Sequence, residues 1–192
     1  KYTQQELHFS TFGFCLPNKG FDELIKAISI LRNDNIRCRL TLYTSLYNTK
    51  ESHELLNNLN LLIHTLQLEM HVLINSSFLT DHEIFINLSN TDLVIFPYQS
   101  TNESASGAAR QAISAMVPVA VTPLPIFNDI TDLVYTLPGC SSTSIASGIV
   151  EWVNNFYGVP MTKNEISWRM QHSYKILSYR LKGMINSLEI ND

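Results

Sequence analysis

The chain has 192 residues, 45% of them hydrophobic and 16% charged, which indicates one globular domain with a sizeable core. The net charge of -4 and the lack of any run rich in lysine or arginine argue against a nucleic-acid partner. The three cysteines are odd in number, far apart and without metal-site spacing, which favours a reducing cytoplasm. Because the chain begins at Lys1 rather than at a methionine, we expect it to be a piece of a longer protein.

Apolar periodicity predicts strands and helices in alternation along the chain. The predicted strands are Leu7 to Phe14, Arg37 to Thr44, Met70 to Ile74, Leu93 to Phe96, Val119 to Thr122 and Leu133 to Leu137. The predicted helices are Phe21 to Arg32, Glu51 to Gln67, Thr80 to Leu88 and Ser142 to Phe156, with a short turn or helix at Phe127 to Asp132 and one long or broken helix over Lys163 to Leu188. This alternation predicts an α/β fold, a Rossmann-like parallel sheet with helices on both faces.

The stretch from Asp92 to Pro123 holds a strand, a polar loop, a helix and a second strand. The apolar run Leu93 to Phe96 is typical of a strand buried on both faces, and Pro97 ends it because proline lacks the N–H that a central strand needs. Residues Glu103 to Gly107 are expected to open the helix. A β-loop-α-β unit of this kind predicts two parallel strands.

Small residues at the start of that helix, Ser104, Ala105, Ser106 and Gly107, allow close approach of an anionic ligand to its unpaired N–H groups. Glu103 just before them has two interpretations. It is either a surface acid that compensates the helix dipole, or a carboxylate that accepts hydrogen bonds from the hydroxyl groups of a ligand. A carboxylate does not bind a phosphate directly, but it suits a sugar attached to one.

The loop after the first strand carries Gly13, Lys19 and Gly20 and leads into a helix. Its lysine can offer a point charge to a phosphate, and its glycines allow tight backbone geometry. It is not a Walker A loop, because neither Ser nor Thr follows the lysine. Ligands of parallel sheets bind beyond the carboxyl ends of the strands, where this loop, residues 75–78 and residues 103–111 are all expected to lie.

Two runs of sequence carry a resemblance to a known family: TFGFCLPNKGFDELIKA (Thr11 to Ala27) and FPYQSTNESASGAARQAISAMVPVAVTP (Phe96 to Pro123). They resemble the C-terminal half of GT-B glycosyltransferases, especially bacterial surface-polysaccharide members of retaining family 4 (glycosyl transferases group 1). The resemblance implies that residues 1–192 form a single nucleotide-sugar-binding domain, with 163–188 as a C-terminal helical segment. It also implies that the N-terminal acceptor domain is absent from this chain.

The resemblance assigns roles to individual residues. Lys19 is implied to contact the donor diphosphate, with Gly13 as the turn glycine of that loop. Phe14 stands where the family commonly has an arginine, which removes one cation. In the family's E-x7-E motif, Glu103 matches the first glutamate, near the sugar hydroxyls, and Gln111 occupies the second position, on the ribose. An amide can still exchange hydrogen bonds with ribose, but without the charge.

The remaining site residues follow from the same resemblance. The N–H groups of residues 104–107 are implied to hold the diphosphate, and the nucleobase to lie near Asn75 to Leu79. Arg110 either reaches a phosphate or stays at the surface. The implied catalytic groups are Glu103 and Lys19. The implied substrate-binding set is Gly13, Lys19, Gly20, Ser76, Phe78, Glu103, Ser104, Ala105, Ser106, Gly107, Arg110 and Gln111.

The implied activity is hexosyl transfer with retention at the anomeric carbon, from a UDP-, GDP- or ADP-sugar, in polysaccharide, O-antigen or capsule synthesis. No cofactor or metal is expected, since no Asp-x-Asp string occurs. A glycan or lipid-linked acceptor would bind the missing half, so the fragment alone is expected to be inactive. The resemblance implies a cytoplasmic protein and allows the full protein to associate peripherally with the inner face of a membrane.

Two alternatives remain open at this point. One is a non-catalytic nucleotide- or glycan-binding module of the same fold, which Phe14 and Gln111 favour because both weaken the family's donor site. The other is a nucleotide-sugar epimerase of the same fold, which would carry further histidine or acidic residues in the cleft. The presence of Glu103 favours the transferase.

Overall fold

The computed structural model of the chain describes residues 5–160, 163–172 and 174–189. The strands are β1 Leu7–Phe14, β2 Cys38–Ser45, β3 Val72–Asn75, β4 Leu93–Phe96, β5 Val119–Val121 and β6 Tyr135–Thr136. The helices are α1 Phe21–Asn33, α2 Lys50–Thr65, α3 Asp81–Ser89, α4 Gly107–Ser114, α5 Ser142–Asn155, α6 Lys163–Gln171 and α7 Tyr174–Glu189, and a 3-10 helix spans Pro125–Leu133. Strands and helices alternate as predicted.

The six strands of the described residues form one parallel sheet in the order β3-β2-β1-β4-β5-β6. The predicted parallel pairing of the strands on either side of α4 is confirmed, since Val94 aligns with Val119 and Phe96 with Val121. The predicted Rossmann-like α/β fold is therefore confirmed. β1 and β4 lie side by side at the centre, although 78 residues lie between Phe14 at the end of β1 and Leu93 at the start of β4. The pairing of β1 with β4 places the loops that follow these two strands next to each other.

The central strands are buried because helices cover both faces of the sheet. All four residues of β4 are inaccessible to solvent, as its continuous apolar run predicted. On one face, α1 buries the stripe Leu24, Ile25 and Ile28 against the sheet. Helix α5 packs beside α1, and the backbone N–H of Ser142 at its start donates to the carboxylate of Glu23 at 2.6 Å.

The starts of α3 and α4 show how well local sequence signals predict the residue at which a helix begins. Helix α3 begins with a capping box, the local pattern of a threonine followed three residues later by a glutamate, with Thr80 as N-cap and Glu83 closing the box. The expected opening of α4 at Glu103 is wrong, because the helix begins at Gly107. Ser106 has an extended backbone, and its hydroxyl accepts the N–H of Ala109 at 3.2 Å, which makes it the N-cap.

The chain divides into two compact units, Lys1–Tyr157 and Gly158–Asp192. The first holds the sheet with α1 to α5. The second holds α6 and α7, which occupy the segment predicted as one long or broken helix. Among the described residues, no helix is long and apolar enough to cross a membrane.

Candidate functional site

Seven of the twelve predicted site residues meet at the carboxyl edge of the sheet. From β1 the chain continues to β2 on one side, and from β4 it continues to β5 on the other, so the strand order reverses between β1 and β4. In open parallel sheets, the crevice at such a reversal is where ligands bind. The loop after β1 and the segment from Glu103 to Gln111 both open onto this crevice.

A cavity of about 390 Å³ fills the crevice, within the size range of small-molecule sites. Seven of the predicted site residues line it: Gly13, Lys19, Phe78, Glu103, Ser106, Gly107 and Gln111. The wall also includes residues outside the predicted set: Phe12, Phe14, Leu16, Ser45, Leu79, Asp81, Tyr98 and Ala108. The cavity therefore combines one ammonium group, two carboxylates, a helix start and several aromatic rings.

The ammonium group of Lys19 is held between an aromatic ring and a carboxylate. Its side chain is only 14% exposed, its Nζ lies 4.0 Å from the ring centroid of Tyr98, and Oε2 of Glu103 is 3.6 Å away. The face of the tyrosine ring attracts the cation without neutralising it. Glu103 is 58% exposed, so its pairing with the lysine is weak and can give way to a ligand.

The loop that carries Lys19 is fixed from the β4 side. The N–H of Gln99 donates to the carbonyl oxygen of Asn18 at 2.8 Å. Gly20 is buried with a left-handed φ of 71°, and a Cβ there would lie 1.8 Å from the carbonyl oxygen of Pro97. Gly20 therefore serves the packing of this loop on β4, and it does not line the cavity.

The same loop is fixed from the β2 side by Ser52 at the start of α2. Its buried hydroxyl donates to the carbonyl oxygen of Cys15 at 2.7 Å and accepts the N–H of Tyr47 at 3.1 Å. Tyr47 in turn meets the ring of Phe14 edge to face, with 4.9 Å between the ring centroids. The position of the lysine is thus set before any ligand arrives.

The start of α4 presents backbone donors to the cavity. The hydroxyl of Ser106 already accepts the N–H of Ala109, so the N–H groups of Gly107 and Ala108 are those left for a ligand. No atom lies within 4 Å of a Cβ built on Gly107, so this end of the helix is open. Ser104 and Ala105 are exposed in the preceding loop and do not line the cavity.

Two other predicted residues lie away from the cavity. Arg110 donates from Nη1 to the carbonyl oxygen of Ser106 at 3.0 Å and pairs through Nη2 with Asp129 of the 3-10 helix. Its guanidinium thus braces the start of α4 rather than facing a phosphate. Ser76 is exposed outside the cavity wall, whereas Phe78, two residues on, is 81% exposed and forms part of that wall.

Two of the wall residues outside the predicted set contact predicted site residues directly. Tyr98, which lies under Lys19, is an aromatic residue directly after Pro97 in a loop of polar residues, and this placement could have identified it. Asp81 is the first residue of α3, and its Oδ1 accepts the side-chain N–H of Gln111 at 3.1 Å. Its position after β3 could have placed it at the same edge of the sheet.

No protein family model matches this chain, and no curated protein sequence matches it. Solved structures do match it. The C-terminal domain of the group 1 glycosyl transferase LpcC from Francisella tularensis superimposes with a TM-score of 0.65 and 15% identity, over 91% of this chain and 86% of that domain. The fold is that of the C-terminal domain of GT-B glycosyltransferases. The fold implied by the sequence resemblance is therefore confirmed.

Two longer proteins of known structure contain the same fold. Sucrose-phosphate synthase from Thermosynechococcus elongatus matches with a TM-score of 0.76 and 14% identity, over 97% of this chain and 46% of that protein. HepE from Anabaena, solved in complex with UDP and glucose, matches with a TM-score of 0.76 and 14% identity, over 96% of this chain and 48% of that protein. This chain thus spans about half the length of these GT-B proteins.

Proposed function

We propose that this chain is the donor-binding half of a retaining glycosyltransferase and that its cavity binds a nucleoside diphosphate sugar. One observation carries the proposal. Two independent groups that stabilise anions, the ammonium of Lys19 and the N-terminus of α4, open onto the same cavity at the reversal of strand order. A diphosphate is the ligand chemistry that uses both. HepE, which shares the fold, was solved with UDP and glucose, and this supports the choice.

Binding would exchange partners at Lys19. In the structure, Glu103 is the anion beside the ammonium group. An incoming diphosphate would take that position, because it carries more charge and brings further acceptor oxygens to the N–H groups of Gly107 and Ala108. Glu103 would then accept hydrogen bonds from hydroxyl groups of the attached sugar. The aromatic wall at Phe14 and Phe78 suits the flat faces of a nucleobase.

The proposed chemistry breaks the bond between the anomeric carbon and the diphosphate oxygen. The oxygen keeps the electron pair, and its growing negative charge would be met by Lys19 and the start of α4, both fixed in advance. The acceptor, a glycan or lipid-linked sugar in polysaccharide synthesis, would be held by an N-terminal domain of the kind that GT-B proteins carry. The isolated chain would therefore bind the donor without transferring the sugar.

Calorimetric titration of the chain with UDP, GDP and ADP tests the proposal. One nucleotide should bind with a dissociation constant between micromolar and low millimolar values, and Lys19→Met should weaken it at least about ten-fold. Methionine keeps an unbranched side chain against Tyr98 while removing the charge. Lys50→Met is the matched control, since Lys50 is 89% exposed at the start of α2 and should leave the affinity unchanged.

Glu103→Gln separates the sugar from the nucleotide in the same titration. The variant should bind the nucleoside diphosphate as well as the native chain does, or more tightly, because the competing carboxylate beside Lys19 is gone. It should lose affinity for the corresponding nucleotide sugar. No binding of any of the three nucleotides by the native chain would contradict the proposal.

A non-catalytic nucleotide-binding module is the second candidate. It is favoured by Phe14, whose ring packs on Tyr47 where a second cation would otherwise strengthen diphosphate binding, and by the neutral Gln111. In that case the chain would bind a nucleoside diphosphate and its sugar conjugates equally, and Glu103→Gln would change neither affinity.

A further inference from the structure

Gln111 is neutral, yet its side chain is paired with a carboxylate from another helix. Its Nε2 donates to Oδ1 of Asp81 at 3.1 Å, and both side chains line the cavity. Asp81 is the first residue of α3, which packs beside α4. The two positions are 30 residues apart in sequence, so the pair exists only because α3 and α4 lie side by side.

Asp81 is available to a ligand because two other residues, Thr80 and Glu83, cap the start of α3. The carboxylate of Glu83 accepts both the N–H and the hydroxyl of Thr80, at 2.8 Å and 2.7 Å. Asp81 is exposed, and its carboxylate accepts the hydrogen bond from Gln111. As the first residue of α3, Asp81 has a backbone position that the helix fixes.

The location of the pair relative to α4 indicates which part of a ligand it meets. Gly107 and Gln111 are four residues apart on one face of α4, about 6 Å along the helix axis. A ligand with its diphosphate on the N–H groups of Gly107 and Ala108 can place the attached ribose beside Gln111. A carboxylate repels phosphate and only accepts hydrogen bonds, so the ribose hydroxyl groups are its natural partners there.

We infer that Asp81, oriented by Gln111, is the carboxylate that accepts hydrogen bonds from the 2′- and 3′-hydroxyl groups of the donor's ribose. This inference rests on the proposed function. Gln111 on α4 is neutral, so Asp81 on α3 supplies the negative charge of this part of the site. Asp81 thereby makes the site selective for ribonucleotides, because removal of both ribose hydroxyl groups leaves the charged acceptor without a donor.

The test compares UDP, GDP and ADP with their 2′,3′-dideoxy counterparts by calorimetry on the whole chain. The native chain should prefer the ribonucleotide. Asp81→Asn should weaken ribonucleotide binding about ten-fold, leave binding of the dideoxynucleotide nearly unchanged, and so abolish the preference. Glu51→Gln is the control, because Glu51 is also an exposed acid in the first turn of a helix but does not line the cavity.

A reciprocal variant tests the role of the pair. Gln111→Glu combined with Asp81→Asn keeps one carboxylate and one amide but exchanges their positions, and it should restore most of the ribonucleotide preference. If Asp81→Asn weakens both kinds of nucleotide equally, or weakens neither, the inference is overturned while the proposed function stands. If it alters only the preference for nucleotide sugar over nucleotide, Asp81 meets the sugar and the inference is also overturned. Absence of all nucleotide binding by the native chain overturns the proposed function, and this inference with it.

Discussion

Replacing Gly20 with alanine should destabilise the fold strongly, although the change adds a single methyl group. Gly20 precedes α1 and is buried against the loop after β4. Two independent costs arise there. Its φ of 71° lies in the left-handed region, which costs an alanine about 1 kcal/mol more than a glycine. The added Cβ would also lie 1.8 Å from the carbonyl oxygen of Pro97 and 2.8 Å from Nε2 of Gln99.

The steric cost is the larger of the two. Cβ atoms essentially never approach another heavy atom within 3.0 Å, so Pro97 or the loop must move by more than about 1 Å. Such a movement costs about 1–3 kcal/mol in a packed interior, and it threatens the hydrogen bond from Gln99 to Asn18, worth about 1 kcal/mol. The sum is a loss of about 3–5 kcal/mol, a large part of the 5–15 kcal/mol that stabilises a typical domain.

Urea denaturation followed by circular dichroism measures this loss as the change in the free energy of unfolding. Gly158→Ala is the matched control, because Gly158 has a similar φ of 76° but nothing lies within 4 Å of its added Cβ. Only the backbone cost of about 1 kcal/mol applies there. Equal losses for the two variants would refute the steric reasoning, and with it the conclusion that Gly20 is required for packing.

Two further predictions concern the helix start and the response to pH. Gly107→Ala should raise the free energy of unfolding by up to about 1 kcal/mol, because open space surrounds the added Cβ. The same methyl group should weaken the binding of UDP, GDP or ADP, because it covers the N–H groups at the start of α4. Calorimetric titration measures the loss of affinity, with Gly183→Ala in α7 as control. Burial of the ring lowers the pKa of His8 below its ordinary 6.5, and the positive charge of Arg39 lowers it further. The nearby acids raise this pKa, but they do not cancel the lowering. The folded state thus disfavours imidazolium, and stability is lost as the pH falls below about 6.5. His8→Gln should flatten this dependence in melting temperatures, while the exposed His53→Gln should not.

The sequence predicted the framework of the fold well because its signals are local. The bounds of β1 and β4 are those expected, since apolar runs that meet a turn or a proline define a buried strand within a few residues. The capping box of α3 is equally local. The parallel arrangement of the strands then brings Gly13, Lys19 and Glu103 to one edge of the sheet, because the carboxyl ends of parallel strands meet there.

Side-chain partners from distant parts of the chain were decided only by the tertiary structure. The ring of Tyr98 below Lys19 and the contact of Asp81 with Gln111 depend on which helix starts and loops become neighbours. Arg110 is turned toward the 3-10 helix by Asp129, and no periodicity in the sequence encodes that direction. A residue pattern specifies which face of an element is buried, whereas the packing of whole elements against one another specifies which polar groups meet. For this chain, the sequence alone therefore determined the sheet and the position of its site, and the tertiary packing determined which charges that site presents.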